Sequence, residues 1–590
     1  MFGSDRSSTP FLLFLIITVL VLVGVPGRHA SAATGPALSI NAGADQHTIS
    51  PLIYGMNFAD AGLAQDVRLP VDRWGGNSTT RYNWKLDVHN TGSDYYFENI
   101  PDGDSTTLPN DSAADRFIEQ DRGTSTQTLL TVPLIGWTPS ARKEQHPYDC
   151  GFPKTLFPSQ LSFDQYDLNC GNGLNPSGTP VTSSSTAANT SVAIDPVFVK
   201  DWMRHLIGRY GTAAQGGVKL YNLDNEPGLW DSTHRDVHPT RPTYDELIDR
   251  GKQYAAAIKA VDPGALTLGP VQDGWTRYFY SSYGDYPDVA AQLDREEHQG
   301  KPFVVSYLQQ MAAYETANHT RLLDYFDLHY YPATTGVTLS PAGDAATQTK
   351  RLASTRSLWD PTWVDEDSWI PETDEATAVN GVGVDGAIQL IPRMRDWIAK
   401  NYPGTKLAIT EYNWGALDHI NGALAQADVL GIFGREGLDL ATLWEAPNPL
   451  DPMHPEIRQP GEFAFRMYRN YDGQGAGFGD TSVRASSADQ GQLAIYAARR
   501  NGDGALTIMI INKSAASLTS QISLAEFRSS GTAQVYRYSA ANAQQIVKQA
   551  DQSVGSSFSA TFPPNSITLM VLPKLSVPLT PRVDLPLVRR

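Results

Sequence analysis

Cysteine is nearly absent from this chain. Its 590 residues include two, Cys150 and Cys170, so at most one disulfide can form and a thiolate metal site is disfavoured. Both lie in Gly-, Pro- and Asp-rich sequence, and each is followed by Gly. In an exported chain the two pair with each other; in a reducing compartment they stay free thiols. Positive charge is also scarce, with 46 Lys and Arg against 63 Asp and Glu and a formal net charge of −17. Such a surface repels phosphate backbones, which excludes a nucleic-acid-binding role and suits a neutral substrate. A Gly-rich phosphate loop, a Ser nucleophile elbow and internal repeats are all missing. Long apolar runs are missing too, apart from residues 11–25.

That run is shorter than the roughly 20 residues of a spanning helix. Arg6 precedes it, Gly24, Pro26 and Gly27 close it, and Ala30-Ser-Ala follows as a small-residue cleavage site. Residues 1–32 therefore read as a secretory signal. The mature protein is expected outside the cell, as a monomer with no stable membrane association.

What remains is globular in composition, 41% hydrophobic and 18% charged. Between residues 53 and 454, apolar runs alternate with helical patterns. Strands are expected at 53–57, 71–74, 128–135, 218–223, 266–270, 325–330, 407–410 and 440–444. Eight continuously apolar strands alternating with helices predict an α/β fold, a (β/α)8 TIM barrel. Asp195-Pro196 opens one helix and Gly211 stops it; Thr243 and Glu246 form a capping box for the next. Residues 139–193 and 334–383 are long loop-rich inserts of the kind that form walls and lids. After about residue 455 the period shortens, and Asn501-Gly-Asp-Gly marks a hairpin. An all-β sandwich is expected over 455–573, joined by a strand from residues 33–52; the tail at 574–590 has no assignable pattern.

Two carboxylates end two of the apolar runs. Residues 220–227 read Leu-Tyr-Asn-Leu-Asp-Asn-Glu-Pro, and 407–414 read Leu-Ala-Ile-Thr-Glu-Tyr-Asn-Trp. Glu226 thus ends the fourth expected strand and Glu411 the seventh. Catalytic groups of such barrels stand at the C-terminal strand ends. A pair of acids is the minimum for breaking a glycosidic bond: one protonates the departing oxygen, the other attacks the anomeric carbon or activates water. Asn225, one residue before an acid, is placed to hydrogen-bond a sugar hydroxyl. Trp414 offers an aromatic platform beside Glu411. Trp359, Trp363 and Trp369 stand among acidic loop residues, where a subsite wall is more natural than a core role.

At these residues the chain resembles glycoside hydrolase family 44. The matching stretches are Arg-Trp-Gly-Gly-Asn-Ser-Thr-Thr-Arg-Tyr-Asn-Trp at 73–84, 222–230 around Glu226, His-Tyr-Tyr-Pro at 329–332, Leu-Trp-Asp-Pro-Thr-Trp at 358–363, and 409–415 around Glu411. The resemblance implies a retaining endo-β-1,4-glucanase acting on β-glucan or xyloglucan, with Glu226 as acid/base and Glu411 as nucleophile. It implies Asn77 and Asn225 as sugar-binding amides, His329 and Tyr331 as groups orienting the carboxylates, and Trp444 as a platform under the cleaved sugar. Tyr330 stands where the family often has Trp. No cofactor is required; a structural calcium is allowed, although no compact Asp-rich ligand loop is present. An arabinofuranosidase, xylanase or mannanase of the same mechanism, or a silent carbohydrate-binding protein, are the competing readings.

Overall fold

The computed structural model describes residues 32–181, 187–284, 288–366 and 386–575. The expected leader, Trp369 and the tail beyond 575 lie outside the described residues. Eight parallel strands close into a barrel: β1 (Gly55–Asn57), β2 (Val71–Trp74), β3 (Gln127–Val132), β4 (Leu220–Leu223), β5 (Leu266–Gln272), β6 (Tyr325–His329), β7 (Lys406–Glu411) and β8 (Leu440–Leu443), which pairs back with β1. All eight overlap the runs expected from the sequence. Their apolar character has a direct cause: one face points into a barrel interior filled by Val71, Leu129, Leu220, Leu268, Tyr325, Ala408 and Leu440, and the other is covered by helices. Gly55 is required where β1 is squeezed between neighbours, because a Cβ there would lie 2.5 Å from Val71 and 2.6 Å from the Ala441 carbonyl.

The helices end where their sequences dictate. In α1 (Pro196–Tyr210), the Asp195 carboxylate accepts from the Val197 amide at 2.9 Å and Gly211 terminates the helix at φ 84°. In α2 (Tyr244–Val261), the Thr243 hydroxyl accepts from the Glu246 amide.

The second unit is a 12-stranded sheet curled on itself around Leu38, Ile40, Ile495, Ile508, Ile522 and Phe562. The early strand Leu38–Asn41 sits inside it, parallel to Leu518–Ala525 and antiparallel to Thr481–Ser487. The chain leaves the barrel later than the change of period at 455 suggests. Helix α3 (Ile420–Glu436) is followed by α4 (Pro460–Arg469), which packs on it through Tyr468, and the first sandwich strand after the barrel begins at Thr481. Between the units, the buried Asp428 carboxylate accepts from Lys513 at 2.6 Å, Tyr496 at 2.7 Å and Thr355 at 2.7 Å. A buried ion pair so fully hydrogen-bonded fixes how the sandwich seats on the barrel.

The insert at 139–193 is tied at its ends by the ribbon Trp137–Pro139 with Ser191–Ala193, and internally by the Cys150–Cys170 disulfide. The two cysteines do pair.

Candidate active site

The C-terminal ends of the strands converge on Arg73. This side chain comes from β2, is fully buried, and answers four groups from three other strands, β1, β4 and β7. Its guanidinium donates to Glu411 at 2.8 Å, Asn57 at 3.0 Å, Asn222 at 2.8 Å and Asn225 at 2.8 Å. The Glu411 carboxylate also accepts from the Tyr331 hydroxyl at 2.9 Å. Burial, then the nearby Glu411 and Glu226, push the Tyr331 hydroxyl well above the ordinary phenol range, so it remains a donor. One oxygen of Glu411 thus faces a guanidinium and the other a phenol.

Glu226 sits in different surroundings. The backbone leaves β4 through Asp224 at φ 74° and Glu226 at φ 47°, two non-glycine residues in the left-handed region within three positions. Such conformations persist only where the structure over-determines them. Here Asp224 is pinned by the Thr80 hydroxyl and the Leu134 amide, both at 2.6 Å, and the Glu226 amide donates to Val271 at 3.0 Å. Burial, and next the charge of Asp273 at the end of β5, push the Glu226 carboxyl up to about 8. Arg277 donates to one oxygen of Asp273 at 2.8 Å.

His329, at the end of β6, stands between the two acids. Its Nδ1 lies 2.9 Å from Glu226 and 3.4 Å from Glu411. Burial pushes the imidazole down to about 3, so it is neutral. Its Nε2 is buried without a partner, which places the ring proton on Nδ1, facing the carboxylates. One oxygen from each glutamate and a nitrogen of His329 all lie within 4.8 Å of one another.

A groove of about 470 Å³ opens over this pair, lined by Phe58, Asn77, Tyr95, Tyr331 and Trp444 among others. Asn77 accepts from Asn225 at 3.2 Å and donates to Asp94 at 3.0 Å. The Trp444 ring lies close enough to the loop after β2 that a Cβ on Gly76, at φ 84°, would come within 2.6 Å of it. Glu226, Glu411, Asn77, Asn225, His329, Tyr331 and Trp444 are therefore brought together.

Two expected contacts are not. Trp414 is 2% exposed; its indole donates to Ser354 at 3.1 Å and its ring packs on Tyr330 and Tyr412, so it is core beneath the rim rather than a platform. The residue after a strand-end acid and two further on turns inward here, and sequence spacing does not report that turn. Trp363 is half-buried under the Arg356 guanidinium, 4.8 Å from its ring centre, and does not line the groove. Sequence reasoning also passed over Arg73, Phe58, Tyr95 and Asp273. An Arg beside Asp72 in a short expected core strand was the available signal for the first, since a buried guanidinium demands carboxylate or amide partners.

The sequence profile of glycoside hydrolase family 44 matches residues 88–334. Endoglucanase A of Paenibacillus lautus is 30% identical over 518 residues, 85% of this chain and 67% of its own length. The crystal structure of CelM2, a bifunctional glucanase-xylanase from a metagenome library, is 39% identical and superposes with a TM-score of 0.83 over 92% of this chain and 100% of its own. A Paenibacillus polymyxa xyloglucanase of family 44, solved also with xyloglucan, is 30% identical with a TM-score of 0.73, covering 92% of this chain and 100% of its own. The chain belongs to glycoside hydrolase family 44. It is a retaining glycoside hydrolase, and the close approach of its two strand-end carboxylates is the spacing that double displacement needs.

The family 44 resemblance allows a calcium. Among the described residues, two clusters gather three acid or imidazole groups within 4.8 Å. One is Glu226, His329 and Glu411, where Arg73 already supplies the positive charge. The other is Glu98, His146 and Asp164 on loops behind the groove wall. Glu98 is fully buried with both carboxylate oxygens unpartnered, which fits a divalent cation.

Arg73 carries a structural prediction. Arg73→Met leaves the nearly buried Glu411 without its counter-charge, at an expected cost of about 3–5 kcal/mol in unfolding free energy. Denaturant unfolding followed by tryptophan fluorescence measures it; a midpoint equal to wild type would refute the counter-charge role.

Proposed function

We propose that this chain is a secreted, monomeric endo-β-1,4-glucanase with xyloglucan among its substrates, in which Glu226 is the acid/base and Glu411 the nucleophile. The carrying observation is the contrast between two carboxylates within 4.8 Å: one faces Arg73 and Tyr331, the other is desolvated beside Asp273. Different surroundings push paired acids to different protonation states, and that difference assigns the roles.

In the first step, protonated Glu226 gives its proton to the departing glycosidic oxygen while Glu411 attacks the anomeric carbon from the opposite face. Positive charge develops on the ring as the Glu411 carboxylate closes on the anomeric carbon. In the second step, Glu226, now ionised, takes a proton from water as the water displaces Glu411, and stereochemistry at the anomeric carbon is retained. Asn225, fixed by Arg73 and Gly76, presents its amide toward Asn77 and the groove, where the 2-hydroxyl of the reacting sugar would lie. A cation at Glu98, His146 and Asp164 would tie loops together and takes no part in bond cleavage.

The substrate class is supported by the relatives and by the open groove, which admits a chain passing through rather than a single terminal sugar. CelM2's described double activity supports xylan as a second substrate. Secretion is supported by residues 1–32 and by the disulfide, which suits an oxidising compartment; an exported form should begin near residue 33. No helix among the described residues is long and apolar enough to cross a membrane.

The test is mass analysis of limit products from xyloglucan, β-glucan, arabinoxylan and mannan, with the anomer of the first product read by proton NMR. Internal cleavage of xyloglucan or β-glucan giving the β-anomer first is expected. Both glucans left intact while arabinoxylan or mannan is cut would replace this substrate assignment.

A further inference from the structure

The groove over the catalytic pair does not end at its own rim. Leu339, on the loop after β6, lines it beside Tyr331 and Glu411, and the same residue lines a second cleft of about 370 Å³. That cleft is built from the loops after β6, β7 and β8, with Leu339, Leu417, Ala446 and Leu450 as its apolar surface. Leu339 is 43% and Leu450 75% exposed, so this surface faces solvent rather than the core. The charged residues of the lining are Asp418 and Glu445; both are exposed, and neither forms an ion pair among the described residues. Among the described residues, no Lys, Arg or His lines the cleft.

The shape of the cleft is held against conformational preference. Each of the three loops puts a non-glycine residue of the lining in the left-handed region: Leu339 at φ 50°, Ala416 at φ 53° and Glu445 at φ 56°. Such conformations persist where the surroundings over-determine them, and they gather at ligand clamps. Arg351 supplies much of that determination. Fully buried, it donates to the carbonyls of Trp414 at 2.6 Å, Pro341 at 2.8 Å and Ala342 at 3.0 Å. The Ala416 amide donates to Ser340 at 2.8 Å, and Gly415 sits so close that a Cβ on it would lie 2.4 Å from the Val337 carbonyl. Leu339 is therefore presented rigidly at the boundary of the two cavities. Glu445 follows directly on Trp444, which lines the groove.

Apolar walls with a few placed polar groups are the make-up of a small-ligand site. A glycosyl ring matches this one: its C–H faces rest on aliphatic side chains, and its hydroxyls donate charge-assisted hydrogen bonds to carboxylates. A ring bearing its own carboxylate meets two like charges and no cation, which is how a site rejects a competitor. We propose that this second cleft is a selectivity site, which binds a neutral glycosyl residue of the polysaccharide held in the groove and excludes an anionic one. Leu339 and Leu450 meet the ring faces, and Asp418 and Glu445 accept from its hydroxyls. This inference rests on the polysaccharide-hydrolase reading of the groove.

The experiment compares, on the full chain, one neutral polysaccharide that the enzyme cleaves with the same polymer carboxymethylated. In the double variant Asp418→Asn/Glu445→Gln, KM is expected to rise about 2–5-fold on the neutral polymer, because an amide accepts a weaker bond than a carboxylate. On the carboxymethylated polymer KM should fall at least about 3-fold, with kcat nearly unchanged on both. Added salt should lower the wild-type KM on the anionic polymer and barely move that of the double variant, since exposed charges are screened. Glu296→Gln/Asp551→Asn, which removes two exposed charges from helix 289–297 and from the sandwich, should leave both KM values at wild type. A shift of both KM values in the same direction, or equal shifts in the two double variants, would overturn the selectivity site. Leu339→Asn, whose side chain tolerates the left-handed backbone, should raise KM on the neutral polymer several-fold; a wild-type KM would overturn the shared rim. Linear β-glucan and xyloglucan separate the two sources of the bound residue: a KM rise in Asp418→Asn/Glu445→Gln on xyloglucan alone identifies a branch, and a rise on both identifies the main chain. The neutral polymer is whichever one limit-product analysis shows to be cut, so failure of the glucan assignment changes the substrate and not this outcome.

Discussion

Glu411→Ala is expected to lower kcat on β-glucan or xyloglucan by at least about 10⁴-fold, the scale seen when an enzyme loses its nucleophile. Folding should survive, because the deletion removes a partner of Arg73 while Asn57, Asn222 and Asn225 still accept from it. The cavity left at the anomeric carbon is the diagnostic feature. Azide is small enough to enter it and needs no general base. With Glu226 still protonating the leaving group, azide should attack from the vacated face and give a glycosyl azide of inverted configuration. Recovery of part of the lost rate with that product identifies Glu411 as the attacking group. Product of retained configuration, or a variant within about 10-fold of wild type, would remove it from that role. Polysaccharide affinity, measured by gel retardation, should change little, since the groove walls are untouched.

Much of this architecture is legible in sequence for one physical reason. Parallel strands buried on both faces must be continuously apolar, so a carboxylate at the end of such a run stands out. Glu226 and Glu411 were visible on that ground, and the helix ends at Asp195, Gly211 and Thr243 were visible because unsatisfied backbone groups demand particular caps. The features that escaped are those made by segments far apart in the chain. Arg73 gathers four groups from three other strands, and nothing near it in sequence announces its partners. The group of Glu98, His146 and Asp164 is likewise assembled from three separated stretches of chain. Trp414 was misjudged because proximity to a catalytic acid in sequence does not fix which way a side chain turns after the strand ends. The helix α4, which buries Phe463, Phe465 and Met467, follows residue 455 before the first sandwich strand, a pattern easily lost beside the short strands that come after it.

Glu226→Gln separates acid catalysis from nucleophilic attack. On polysaccharide, where the leaving group is a poor sugar alkoxide, loss of the proton donor should lower kcat/KM by about 10²–10⁴-fold. On an aryl glycoside with a strongly acidic phenol, the first step needs no proton, so glycosyl-enzyme should form nearly as fast as in wild type. The second step lacks its base, and the phenol should appear as a burst followed by slow turnover. Azide should raise the slow phase and yield a glycosyl azide of retained configuration, the opposite stereochemistry to that expected from Glu411→Ala. The pH profile gives an independent check. The Glu226 carboxyl is pushed up to about 8 by burial and the charge of Asp273, so it keeps its proton through neutrality and loses it on the alkaline side. Wild-type kcat/KM on polysaccharide should therefore fall above about pH 8, and the glutamine variant, with nothing to ionise there, should not show that fall. Removing the neighbouring negative charge by Asp273→Asn should move the wild-type limb to lower pH, because only desolvation then holds the proton on Glu226. An alkaline limb that persists unchanged in Glu226→Gln would assign the essential acid to another residue, with His329 excluded because its imidazole, pushed down to about 3, is already neutral in that range.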